Sequence, residues 1–152
     1  MLLQLTSAPG FGPQLLTALG TVRWLGVGLA FGAYFVLGAL WYMGLFAQAY
    51  KVALGKAGQE LDNQSPLYIA GPAACVLVIT VVSAVLLRAL HVDTYGGGLL
   101  FAALIGFGYL VANTVNIGIN PNIPRPFLYG AITGAYHLVG ITLASLIMVA
   151  MR

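Results

Sequence analysis

Asn120-Pro121-Asn122-Ile123-Pro124-Arg125-Pro126 interrupts a stretch that carries no other charge between Asp93 and Arg152. Its three prolines remove backbone donors and bias the residues before them toward extended conformations, so it cannot be regular helix. Irregular backbone exposed to lipid would leave its polar groups unpaired, which places this segment outside the hydrocarbon. It therefore divides one apolar run into two. Each part exceeds the ~20 residues that a helix needs to cross a bilayer.

The same reading extends toward the N-terminus. Charge-free gaps run from Trp24 to Tyr50, from Ser65 to Leu87, from Thr94 to Pro124 and from Pro126 to Met151. Each is long enough for one crossing and too short for two. The expectation is an all-α integral membrane protein, a bundle of four transmembrane helices with spans about 24–48, 66–88, 95–118 and 126–150. A short N-terminal interfacial segment, 1–21, precedes the 22–152 transmembrane domain, with helix expected around Gln14 to Ala18. Composition agrees: of 152 residues 61% are hydrophobic and 6% charged, against ~25% charged in ordinary soluble domains, and mean hydropathy is +0.97. A soluble enzyme domain is excluded.

Local signals mark the ends of the spans. Ser65 and Pro66 read as an N-cap and first helical residue, with Pro72 still near the first turns. Asp93 or Thr94 can cap the third helix, and the fourth begins near Pro126. Trp24, Trp41, Tyr42, Tyr68, Tyr95 and Tyr129 fall near the expected interfaces, where aromatic residues are enriched. The first twenty residues lack a basic n-region and do not look like a cleaved signal peptide. The hydrophilic loop from Lys51 to Gln64 is too short to form a domain. Arg23, Arg88 and Arg152 fall on one side and Lys51, Lys56 and Arg125 on the other, an even split that sets no orientation, although Arg23 directly before the first span leans toward cytoplasmic termini.

Some chemistries lack their parts. The six basic residues are scattered singly, so no run of sequence is dense enough to serve as a nucleic-acid or anionic-lipid patch. One cysteine, Cys75, lies in an apolar stretch and allows neither an intrachain disulfide nor a cysteine-rich metal site. No Asp, Glu, Lys or Arg lies in the middle of a span, which removes the usual carriers of protons and coupling cations. No nucleophile, base and acid can be assembled, so no enzyme is expected and no cofactor or metal is implied. Gly96-Gly97-Gly98 lacks the lysine of a phosphate loop and reads as a tight helix start. Asn63-Gln64-Ser65 fits a glycosylation sequon, a pattern short enough to arise by chance.

Small residues and a few polar ones remain. Gly28 with Gly32, then Gly98, Ala102 and Gly106, and then Gly130, Gly134, Gly140 and Ala144 supply faces for close helix approach, within a bundle or a homo-oligomer. Asn113, Asn116 and Asn120 share one helical face at spacings of three and four. At ~1.5 Å per residue, His137 lies roughly 16 Å from Pro126 and Asn113 about 10 Å from Asn120 on the same side. Asn113, Asn116, Tyr136 and His137 are thus the candidate polar cluster, read either as packing hydrogen bonds or as a ligand, gate or proton acceptor. Trp41, Tyr42, Phe46 and Tyr50 form an aromatic group at the far interface, read as an interfacial belt or as a lid over that cluster.

Gly38-Ala39-Leu40-Trp41-Tyr42 with Phe46, Arg125-Pro126, and Gly134-Ala135-Tyr136-His137-Leu138 resemble a family of small bacterial membrane proteins known as domain of unknown function 1761. The resemblance runs from about Trp24 to the C-terminus. Tyr50 stands where the family pattern has a tryptophan, and Met43-Gly44 replaces a Gly-Pro-like pair. The resemblance implies a compact four-helix protein, in a bacterial inner membrane, and brings no activity, substrate or catalytic residue. Two functions stay open: a structural or partner-binding bundle, or an oligomeric passage or binding site for a small uncharged solute or protons.

Overall fold

A computed structural model describes residues 10–61 and 65–152. The first nine residues, and Asn63 and Gln64 of the sequon, lie outside the described residues. The described chain is helical, without strands: α1 (Phe11–Thr21), α2 (Trp24–Ala39), a π-helical turn (Leu40–Leu45), α3 (Ala47–Ala53), α4 (Leu67–Ala89), α5 (Tyr95–Ile105), a second π-helical segment (Gly106–Val111), α6 (Ala112–Gly118) and α7 (Pro126–Ala150). Four helical stretches are long and apolar enough to cross a membrane: Trp24–Leu45, Leu67–Ala89, Tyr95–Gly118 and Pro126–Ala150. This is a membrane protein.

The helix ends follow from local chemistry. Thr94 Oγ1 accepts from the Gly97 N–H at 3.1 Å, capping α5. Pro126 occupies the first position of α7, where a missing N–H costs nothing. Helix α4 starts one residue later than the Ser65-Pro66 pair suggests, and Pro72 lies inside it. Helix α1 is longer than the expected Gln14–Ala18 segment and packs against α4.

Helix α7 is the centre of the bundle. Half of its most apolar window is buried, compared with 22–28% in the other three spans. It packs on α2, on α5 and α6, on α3 and on α4. Its small residues explain this, because without a hydrophobic drive between helices in lipid, association depends on close approach. Opposite α5 and α6 the contacts run antiparallel: a Cβ on Gly98 would meet Val149, one on Gly106 would meet Leu138 and Ile141, one on Gly134 would meet Val111, and one on Gly130 would meet Val115. The Gly98, Ala102 and Gly106 face is a packing face. Gly28 and Gly32 are not: a Cβ on either meets nothing within 4 Å. Helix α2 and the π turn after it instead turn Val27, Ala30, Tyr34 and Trp41 inward, and the Tyr34 ring fills the space over Gly140 of α7.

Candidate functional site

The polar centre of the bundle is built by α2 and α7. Tyr34 is fully buried, and its ring sits over Gly140, where any Cβ would overlap it. Tyr136 makes the reverse contact, its hydroxyl 2.9 Å from where a Cβ on Gly38 would stand. Each helix thus supplies a tyrosine and the glycine that seats the other's tyrosine. This exchange brings Tyr34 Oη to 2.8 Å from His137 Nδ1 and 3.3 Å from the His137 carbonyl. The tautomer with the proton on Nδ1 makes both contacts productive: Nδ1–H donates to Oη, and the Tyr34 hydroxyl donates to the carbonyl. In that tautomer Nε2 keeps its lone pair as an acceptor. The Tyr136 hydroxyl donates to the Tyr34 carbonyl at 3.5 Å, a long bond.

An aromatic column continues from this pair toward the α3 end. Tyr34 and Tyr136 have ring centroids 5.4 Å apart, Tyr136 and Tyr42 5.2 Å, Tyr42 and Tyr50 4.9 Å, and Tyr50 and Tyr129 6.0 Å. Trp41 and Phe46 pack with their rings tilted by 35° and their centroids 4.6 Å apart. The π turn makes this possible, since the Phe46 N–H donates to the Trp41 carbonyl five residues back at 2.8 Å, which sets those side chains on one face. Trp41 Nε1 donates to the Ile132 carbonyl at 3.0 Å, tying the turn to α7. Burial raises the phenol pKa of Tyr50, beyond the span, above its ordinary value, and neighbouring Tyr129 adds to the rise. The Thr133 hydroxyl is buried beside Tyr42 without a well-formed hydrogen bond.

Of the expected polar cluster, Tyr136 and His137 are together and the asparagines are elsewhere. Asn113 and Asn116 are exposed on the outer face of α6, and neither amide bonds to another described residue. The reason is the π segment at Gly106–Val111. In an uninterrupted α-helix Asn113, seven residues after Gly106, would share its face. The wider π turn absorbs an extra residue, so Val111, Thr114 and Val115 face α7 instead. In this register Val111 and Val115 lie against Gly134 and Gly130. Asn120, beyond the helix, donates to the Ile117 carbonyl and accepts from the Asn122 N–H, closing the turn.

The expected lid residues Trp41, Tyr42, Phe46 and Tyr50 do form one group, but they cover Tyr136 and α7 rather than the asparagines. Trp41 is buried, which an interfacial belt residue would not be. Tyr34 was missed by sequence reasoning. Its signal is faint: a tyrosine four residues before Gly38, on a helix facing another Gly-and-Tyr segment.

The family model for Protein of unknown function (DUF1761) matches residues 25–149. The chain belongs to this family. The matched range takes in the Tyr34, Tyr136 and His137 site of this DUF1761 protein, the aromatic column and both π segments. No curated protein and no solved structure matches the chain. Among the described residues no group of three or more His, Cys, Asp or Glu is placed to hold a metal ion.

Proposed function

We propose that this DUF1761 protein is a non-enzymatic, partner-binding bundle of a bacterial inner membrane and that its partner is a second copy of itself. One observation carries this reading: Asn113 and Asn116, one turn apart and within the last two turns of a span, point away from the bundle. Amides facing lipid lack hydrogen-bond partners. An amide both donates and accepts, so the same face on another copy satisfies it across a two-fold axis. Gly108 and Ala112 are also exposed on this stretch and let a neighbour approach closely. Single-molecule photobleaching of labelled protein in bilayers tests this. Dimers are expected for the wild type, and monomers for Asn113→Leu with Asn116→Leu. A monomeric wild type, or unchanged dimers in the variant, overturns the reading.

A second reading, passage or binding of a small uncharged solute or of protons, has its own observation in the Tyr34–His137 pair, which places a titratable ring in the centre of the bundle. Two cavities lie at the opposite end of the bundle from the aromatic column, and neither is lined by Tyr34, Tyr136 or His137. Proton flux into liposomes that falls in His137→Gln with the fold intact would favour this reading. Equal flux would discard it.

A further inference from the structure

The end of the bundle where α1, α2, α4 and α7 meet is basic. Arg23 precedes α2, Arg88 stands in the last turn of α4, and Arg152 follows α7, and all three line one small cavity of about 20 Å³. Among the described residues the single ion pair is Lys51–Glu60, elsewhere in the chain, so none of these arginines has a carboxylate within 4 Å. Arg152 donates to the Leu87 carbonyl at 3.0 Å, capping the end of α4. Burial and nearby Arg88 lower the pKa of its guanidinium below the ordinary value, while Asp93 acts against them. The cluster is thus a concentration of positive charge, drawn from three helices that are distant in sequence, and Asp93 offsets it only from beyond ion-pair distance.

Arg88 also borders a second, open groove of about 590 Å³ between α1 and α4, with Gln14, Thr17, Thr21 and His91 as its polar lining. Ligand sites commonly span ~300–1,000 Å³. His91 is the non-glycine residue with positive φ, at 52°. It occupies the left-handed position after α4, where the Val92 N–H bonds to the Leu87 carbonyl and the His91 N–H to the Arg88 carbonyl. Glycine is the usual residue at such a helix end. A histidine there accepts backbone strain and directs an imidazole into the groove.

We propose that this groove, with Arg88 between it and the arginine cavity, binds the phosphate headgroup of an anionic phospholipid. The position selects a lipid over a soluble anion. The groove is level with the last residues of the Leu67–Ala89 span, so it opens at the membrane boundary. Helix α1, which roofs it, exposes Phe11 and Leu16, each 72% accessible, as a helix lying in the interface does. Toward the bilayer interior α4 leaves Val78 and Val82 exposed, an apolar track for acyl chains beneath the headgroup.

The test uses the full chain in nanodiscs of phosphatidylcholine mixed with phosphatidylglycerol, reading the lipid retained after extraction and the melting temperature. Wild type should retain phosphatidylglycerol over phosphatidylcholine, and Arg88→Gln should lower that preference about fivefold, the value of one basic residue at an anionic surface. His91→Gly separates binding from folding: its melting temperature without anionic lipid should rise as the strain is removed, while the rise on adding phosphatidylglycerol should shrink. No preference in wild type, or an unchanged preference in both variants, overturns the proposal. Stabilisation by soluble glycerol phosphate equal to that by phosphatidylglycerol would overturn the choice of a lipid.

Discussion

Helix α7 faces α2 through polar aromatic rings seated on glycine, with Tyr34 bonded to His137 and Trp41 to Ile132 across the interface. Toward α5 and α6 it presents aliphatic contacts over Gly98, Gly106, Gly130 and Gly134, and no side-chain hydrogen bond crosses that interface among the described residues. Both interfaces use glycine for close approach. They differ in what fixes register. A hydrogen bond to one carbonyl or one ring nitrogen is lost if either helix slides, whereas valines over glycines fit wherever the spacing repeats. The third span accordingly takes a π segment to align its two halves with α7, and the polar interface confines its own π turn to the end of α2.

The largest effect expected from this contrast is at Gly140. A Cβ there would overlap the fixed, fully buried ring of Tyr34, so Gly140→Ala should cost about 3 kcal/mol, the upper end for overpacking, read as a loss of melting temperature in detergent. Gly106→Ala should cost less, about 1 kcal/mol, because the atom it meets at 2.6 Å is the end of the flexible Leu138 side chain. Equal losses at the two sites would erase the distinction between a rigid polar interface and an adaptable aliphatic one.

Smaller changes test the hydrogen bond itself. Tyr34→Phe removes a hydroxyl from a bond inside the bundle, a class worth ~0.6 kcal/mol on average. A double-mutant cycle with His137→Leu, which removes the ring nitrogen bonded to Tyr34, should return a coupling of about that size. Coupling indistinguishable from zero would mean that the rings pack without bonding. The smallest effect is expected at Gly28 and Gly32. Replacing either with leucine should change stability by less than about 0.5 kcal/mol, since both face open space. A large loss there would place α2 in a second interface.

The spans were legible because charge and proline are costly in lipid: Arg125 among its prolines, Arg88 and Asp93 each mark a boundary that the helices respect. The family was legible in Trp41-Tyr42 and Gly134-Ala135-Tyr136-His137. The face of the asparagines was not. Spacing arithmetic assumes 3.6 residues per turn throughout, and one π segment between Gly106 and Val111 moves every later residue to a different face. The Gly28 and Gly32 pair misled for a related reason. Small residues permit close approach, but whether a neighbour stands there depends on which face carries Tyr34 and Trp41. Tyr34 itself could be recognised only with Gly140 in view, a contact between residues distant in sequence.

Both the register of the third span and the proposed self-association rest on Asn116 facing outward and Thr114 facing α7. Single cysteines at these two positions, each in a Cys75→Ser background, decide it by disulfide cross-linking in native membranes. Asn116→Cys should give a covalent dimer on mild oxidation and Thr114→Cys should remain monomeric. Cross-linking of Thr114→Cys equal to or exceeding that of Asn116→Cys, or none from Asn116→Cys, would contradict the account.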